Sequence, residues 1–159
     1  MQNDSLGLQA LLPEIERNVT DKQTIYYEIG MAYSGWGLYD KAAGYLSKSF
    51  AYPGVPIEEQ DWSDENWKER EAMKSAMRAR AGSELGYLYG MKNMFDSSIY
   101  YSSQALALDS NIVKAYANLI AAYMGKGDRA AAYKIVGLAR VRFPVNQMFI
   151  NMERRLRGH

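Results

Sequence analysis

The chain of 159 residues is 48% hydrophobic and 23% charged with a net charge of +1, the composition of one folded globular domain rather than a disordered or collagenous chain. It holds no cysteine and one histidine, the terminal His159, which excludes disulfides, thiolate zinc sites and cysteine nucleophiles. No apolar run approaches the ~20 residues of a membrane span and no charged-then-apolar leader opens the chain. The compartment expected is therefore the cytoplasm, or the periplasm if Met1 stands in place of a removed leader.

The near-neutral total hides an asymmetry. Through Glu71 there are thirteen acidic and six basic residues, and from Ala72 onward five acidic and thirteen basic. Such a chain has two oppositely charged solvated ends, or uses them to dock a charged partner or another copy of itself.

In chain order, Leu6 to Asn18 is expected to be a helix started or broken at Pro13, covering the open edge of the first helix pair. In residues 23–56, Tyr26, Ile29 and Tyr33 fall at helical spacing, Gly37 offers a turn, and Ala42 and Ser49 mark a second helix before Pro53-Gly-Val-Pro56. Residues 57–78 open with the acidic stretch Ile57-Glu-Glu-Gln-Asp-Trp62-Ser-Asp-Glu65. Ser63 or Asp64 can cap a helix there that runs on to about Gly90, a single helix of roughly 25 residues. Trp62 and Trp67 either pack this helix down or offer a partner contact. Residues 79–112 and 113–146 repeat the pattern of 23–56, and Gln147 to Arg157 reads as a closing helix with Met148, Phe149, Met152 and Leu156 inward.

The repetition is specific in register. Gly30-Met-Ala-Tyr33, Gly86-Tyr-Leu-Tyr89 and Ile120-Ala-Ala-Tyr123 are each followed, four residues after the tyrosine, by Gly37, Asn93 or Gly127. These are the residue types that tolerate a left-handed backbone between two helices. Small residues recur at Ala42, Ser98 and Ala132 and again at Ser49, Ala105 and Ala139, where helices can approach closely. The second and third copies lie 34 residues apart, the first and second 56, which is one repeat plus 22 inserted residues.

The pattern resembles the tetratricopeptide repeat (TPR) family. Residues 113–146 carry it best, with Tyr116, Leu119, Tyr123, Gly127, Ala132, Ala139 and Pro144 at motif positions. The resemblance implies a single all-α domain, a right-handed α-solenoid of three helix hairpins. Residues 1–22 and 147–159 would cap it, and the insertion would lengthen the helix entering the second repeat.

One stretch competes with this reading. Gly125-Lys-Gly-Asp-Arg-Ala130 fits a loose dinucleotide-binding pattern, which requires a strand before it and an acidic residue about 20 positions on. Leu119 to Met124 is instead helical in spacing, and Lys126 precedes glycine rather than a phosphate-loop Ser or Thr. The stretch reads as the turn between paired helices, with Asp128 capping the second. Nothing gathers a nucleophile, a base and an orienting group, and Glu58, Glu59, Asp61, Asp64 and Glu65 match no calcium loop. No enzyme activity, cofactor, metal or nucleic acid is expected.

The TPR resemblance implies a protein-binding groove lined by the first helix of each pair. By register its residues are Tyr27, Glu28 and Met31; Arg80, Glu84, Tyr87 and Met91; and Lys114, Asn118, Ala121 and Met124. The three methionines either face the groove or fill the core beneath it. A carboxylate clamp for acidic C-termini is not expected, since of its positions only Lys114 and Asn118 fit. The function implied is an adaptor or scaffold holding a partner peptide or helix. The alternatives are a self-assembling structural subunit, or a chaperone resembling those of bacterial type III secretion translocators, to whose pattern the insertion is foreign.

Overall fold

The helical spacing of apolar residues becomes a succession of helices in the computed structural model, which describes residues 2–18, 21–52 and 67–158. These are α1 (Gln2–Asn18), α2 (Lys22–Gly35), α3 (Tyr39–Ala51), α4 (Trp67–Met91), α5 (Phe95–Leu108), α6 (Val113–Gly125), α7 (Arg129–Arg142) and α8 (Gln147–Arg157). No strand occurs among the described residues. The chain divides into two units, Met1–Ala81 and Gly82–His159, the division falling inside α4.

Three turns share one geometry. Gly37, Asn93 and Gly127 have φ of 74°, 58° and 78°, the left-handed conformation their residue types accept at least cost. At each turn the carbonyl of the preceding tyrosine (Tyr33, Tyr89, Tyr123) accepts from the N–H five residues on, at Leu38, Met94 and Asp128, each at 2.9 Å. These bonds satisfy carbonyls that the end of a helix would otherwise leave bare. The next helix starts alike each time, Ala42, Ser98 and Ala132 N–H donating to those same three residues at 3.0 Å. Only the third turn adds a side-chain cap, with Asp128 Oδ1 accepting from Ala131 N–H at 2.9 Å. The glycine-rich stretch at 125–130 is thus a helix-to-helix turn.

In Met1–Ala81, α2 packs on α3 over Ile29, Tyr33, Ala42 and Leu46, all buried. Gly30 makes the approach possible, since a Cβ there would stand 2.7 Å from Leu46 Cγ. Gln23, buried, donates to the carbonyls of Ser49 (3.4 Å) and Lys74 (3.1 Å), and Ser49 Oγ donates back to Gln23 O (2.9 Å). One side chain so ties three helices and leaves few polar atoms unmatched. The helix expected to break or begin at Pro13 does neither: α1 runs Gln2–Asn18 with Pro13 inside. Pro13 is exposed, so the carbonyl it frees can be hydrated.

In Gly82–His159, α5, α6, α7 and α8 pack in sequence. Their core holds Tyr116, Ile120, Ala132, Val136, Ala139 and Phe149, with Met148, Met152 and Leu156 of α8 against it. The small positions at 98, 105, 132 and 139 are all essentially inaccessible, which is what close helix approach requires. α4 is 25 residues long; the start expected at Ser63 or Asp64, together with Trp62, the acidic residues 58–65 and His159, lies outside the described residues. No helix among the described residues is long and apolar enough to cross a membrane.

Candidate functional site

The second half of α4 and the first half of α6 present a polar pair and an apolar hollow on one side of the Gly82–His159 unit. Glu84, Tyr87 and Met91 follow at helical spacing on α4, as do Lys114, Asn118 and Ala121 on α6, so each set shares a face. Lys114 Nζ lies 2.5 Å from Glu84 Oε2 and 4.5 Å from the centre of the Tyr87 ring. The lysine is thereby held between a carboxylate and an aromatic face, and its charge is largely spent within the protein. Glu84 is the more buried partner, at 14% side-chain exposure against 42% for Lys114.

Asn118 is nearly buried and donates through Nδ2 to Ser83 O at 2.8 Å, pinning α6 to α4. Beside it opens a pocket of about 280 Å³ lined by Gly86, Tyr87, Gly90, Met91, Phe95, Ser98, Asn118, Ala121 and Ala122. The hollow exists because its lining residues are small: two glycines one turn apart on α4, a serine on α5 and two alanines on α6. Ser98 Oγ turns away into a 2.7 Å bond to Gly86 O, which keeps the lining mostly apolar. Phe95 closes one side and packs on Gly125, where any Cβ would collide with its ring. Tyr87 and Met91 stand at the rim, 41% and 48% exposed.

Of the residues expected in a groove, Tyr87, Met91, Asn118 and Ala121 line this pocket, and Glu84 and Lys114 pair next to Tyr87. Met124 is exposed near the end of α6 and outside the lining. Met91 and Met124 are therefore not core filler, whereas Met31 is half-buried on α2 with Tyr27, and Glu28 is exposed there. Arg80 is exposed on the part of α4 that belongs to the Met1–Ala81 unit. Trp67 is half-buried, with Lys68 Nζ 5.7 Å from its ring centre. Gly86, Gly90, Phe95, Ser98 and Ala122 line the pocket without having been singled out as binding residues. The signal available was missing bulk on facing helices, which shows only once the helices are paired.

Next to this face Asp96 and Lys126 form an exposed ion pair, and the bond from Asp96 raises the lysine pKa above its ordinary value. Among the described residues no three His, Cys, Asp or Glu side chains gather as metal ligands do.

No family model matches the sequence, and no curated protein matches it either. Solved structures do resemble it. The TPR domain of Arabidopsis OM64 superposes with a TM-score of 0.61 at 20% identity, covering 86% of this chain and 95% of that one. The C-terminal TPR-containing domain of a Plasmodium falciparum FK506-binding protein gives 0.64 at 19% identity, covering 89% and 93%. The chain has the fold of these TPR domains, all-α and built from successive helix hairpins.

Proposed function

We propose that the chain is a non-catalytic protein-interaction module that holds a peptide or helix of a partner against the α4–α6 face. The pocket between Tyr87 and Ala121 carries this reading: it is mostly apolar, open to solvent, and sized for a large apolar side chain of a partner. Tyr87 and Met91 at its rim supply a flat ring and an adaptable thioether, residue types suited to gripping an anchor. The fold shared with two TPR domains supports an interaction module in general terms. The polar pair tunes the choice of partner. Because Glu84 already neutralises Lys114 and Tyr87 covers it, a carboxylate from a partner would meet the repulsion of Glu84 beside the shared cation. An apolar anchor with neutral flanks suits the site better than an acidic terminus.

Peptides selected by display against the intact protein provide the test, with affinity measured by calorimetry. Tyr87→Glu and Ala121→Arg, both on exposed positions, should each weaken binding at least tenfold, or about 1.4 kcal/mol, with circular dichroism unchanged. Tyr100→Glu on α5, away from the pocket, should leave binding intact. Selected peptides that bind the Ala121→Arg protein as well as wild type would remove the pocket from the function. Micromolar binding of an acidic C-terminal peptide would overturn the partner chemistry.

A further inference from the structure

The Gly82–His159 unit has an unevenly spent charge balance. Each of its five carboxylates is engaged: Glu84 with Lys114, Asp96 with Lys126, Glu153 with Arg140 and Arg157, and Asp109 and Asp128 with the backbone N–H groups of Asn111 and Ala131. Lys134 on α7 and Arg154 and Arg155 on α8 are exposed and have no acidic partner among the described residues. The same helix pair exposes large aliphatic side chains. Leu138 is 52% exposed, Val141 85% and Val145, just beyond α7, 88%. Lys134, Leu138 and Val141 follow at i, i+4 and i+7, so cation and aliphatics share one side of α7. Exposed aliphatics beside unneutralised cations mark a surface that gains by being covered with something acidic and apolar.

The chain itself carries a segment of that chemistry. Residues 57–65 hold five carboxylates with Ile57 and Trp62, and no lysine or arginine. We propose that the outer face of α7 and α8 binds a second copy of this chain through that acidic segment, in a head-to-tail contact. The carboxylates meet Lys134, Arg154 and Arg155, and the apolar residues cover Leu138 and Val141. Such a contact joins two different surfaces, so each copy keeps one donor and one acceptor face, and association continues beyond a dimer unless it closes into a ring. None of Lys134, Leu138, Val141, Arg154 and Arg155 lines the α4–α6 pocket, and the variants tested leave its lining unchanged, so this contact stands or falls independently of partner binding there.

The test is light scattering of the full-length protein against concentration and salt. Wild type should form species larger than a monomer, weakening at least about tenfold as NaCl rises from about 0.05 M to about 0.5 M. The basic-face variant Lys134→Glu/Arg154→Glu/Arg155→Glu should be monomeric alone, as should the acidic-segment variant Glu58→Lys/Glu59→Lys/Asp61→Lys. Mixed in equal amounts, the two should associate, because each offers the charge the other now needs. Val141→Asp should weaken wild-type assembly at constant net helicity. A wild type that stays monomeric at low salt overturns the proposal. So does a basic-face variant that assembles like wild type, or a mixture that fails to associate.

Discussion

The α2–α3 and α4–α5 hairpins are built on one plan and filled differently. Both place a glycine three residues before the tyrosine near the end of the first helix, Gly30 or Gly86, and both stack a tyrosine pair beside it, Tyr33 on Tyr45 at 5.6 Å and Tyr89 on Tyr101 at 5.3 Å. Across from the glycine, however, the first has Leu46 and the second Ser102. In α2–α3 the leucine occupies the space the glycine leaves. In α4–α5 the Ser102 hydroxyl stands as close over Gly86, and the bulk is missing one turn on, at Gly90 and Ser98, where the pocket at Tyr87 opens. The backbone of each turn is held by its own hydrogen bonds, so side-chain volume can be withdrawn from a hairpin without losing the turn. The binding site proposed for this protein is a packing position left unfilled.

Four measurements test that contrast. Leu46→Ala should cost the most, about 3 kcal/mol in urea unfolding, because it empties a wholly buried site that the α2–α3 hairpin depends on. A loss under about 1 kcal/mol would mean the first hairpin tolerates a vacancy as the second does. Gly30→Ala should destabilise by about 1–3 kcal/mol, since the new Cβ meets the Leu46 side chain at 2.7 Å and its backbone nitrogen at 3.1 Å. A stabilised Gly30→Ala protein would show that the helices simply move apart. Ser102→Ala runs the other way. The Ser102 hydroxyl is buried without a hydrogen-bond partner, so removing it should stabilise by about 1 kcal/mol, and a loss instead would reveal a partner for that oxygen.

The smallest effect is a pH dependence to which Tyr33 and Lys48 contribute. Burial raises the pKa of Tyr33. Burial works against the charge of Lys48, but the bond and charge of Glu16 outweigh it, and that pKa is raised too. Groups with a raised folded pKa stabilise fully below their unfolded pKa and lose that contribution as pH rises. Stability should therefore decline above about pH 10, where unfolded tyrosine begins to ionise. Tyr33→Phe should flatten the decline, and an unchanged slope would assign it to other groups.

Much of the fold was legible because it rests on residue types with few alternatives. Gly37, Asn93 and Gly127 could be aligned from sequence since so few side chains accept a positive φ, and all three adopt one. Asp128 as a cap and α8 as a helix burying Phe149 follow from equally local signals. The site was only half legible. The register carried over from the TPR resemblance picked out Tyr87, Met91 and Asn118 among the residues that line the pocket. The engagement of Lys114 by Glu84, thirty positions earlier, depends on how two helices meet. Gly90 and Ser98 define the pocket by what they lack, and absence on one helix means nothing until the facing helix is in place. Pro13 misled because one missing N–H on a solvated helix surface leaves a carbonyl that water can serve.

The tyrosine-to-turn bond also bears on how the chain finds its structure. Each bond spans five residues, from Tyr33 to Leu38, Tyr89 to Met94 and Tyr123 to Asp128, so sealing a hairpin costs little loop-closure entropy. Hairpins whose turns are this short gather native contacts locally, and proteins rich in such local helical contacts fold on a timescale of roughly microseconds to milliseconds. Any hairpin can then serve as a nucleus on which its neighbours condense, and folding need not begin at either terminus.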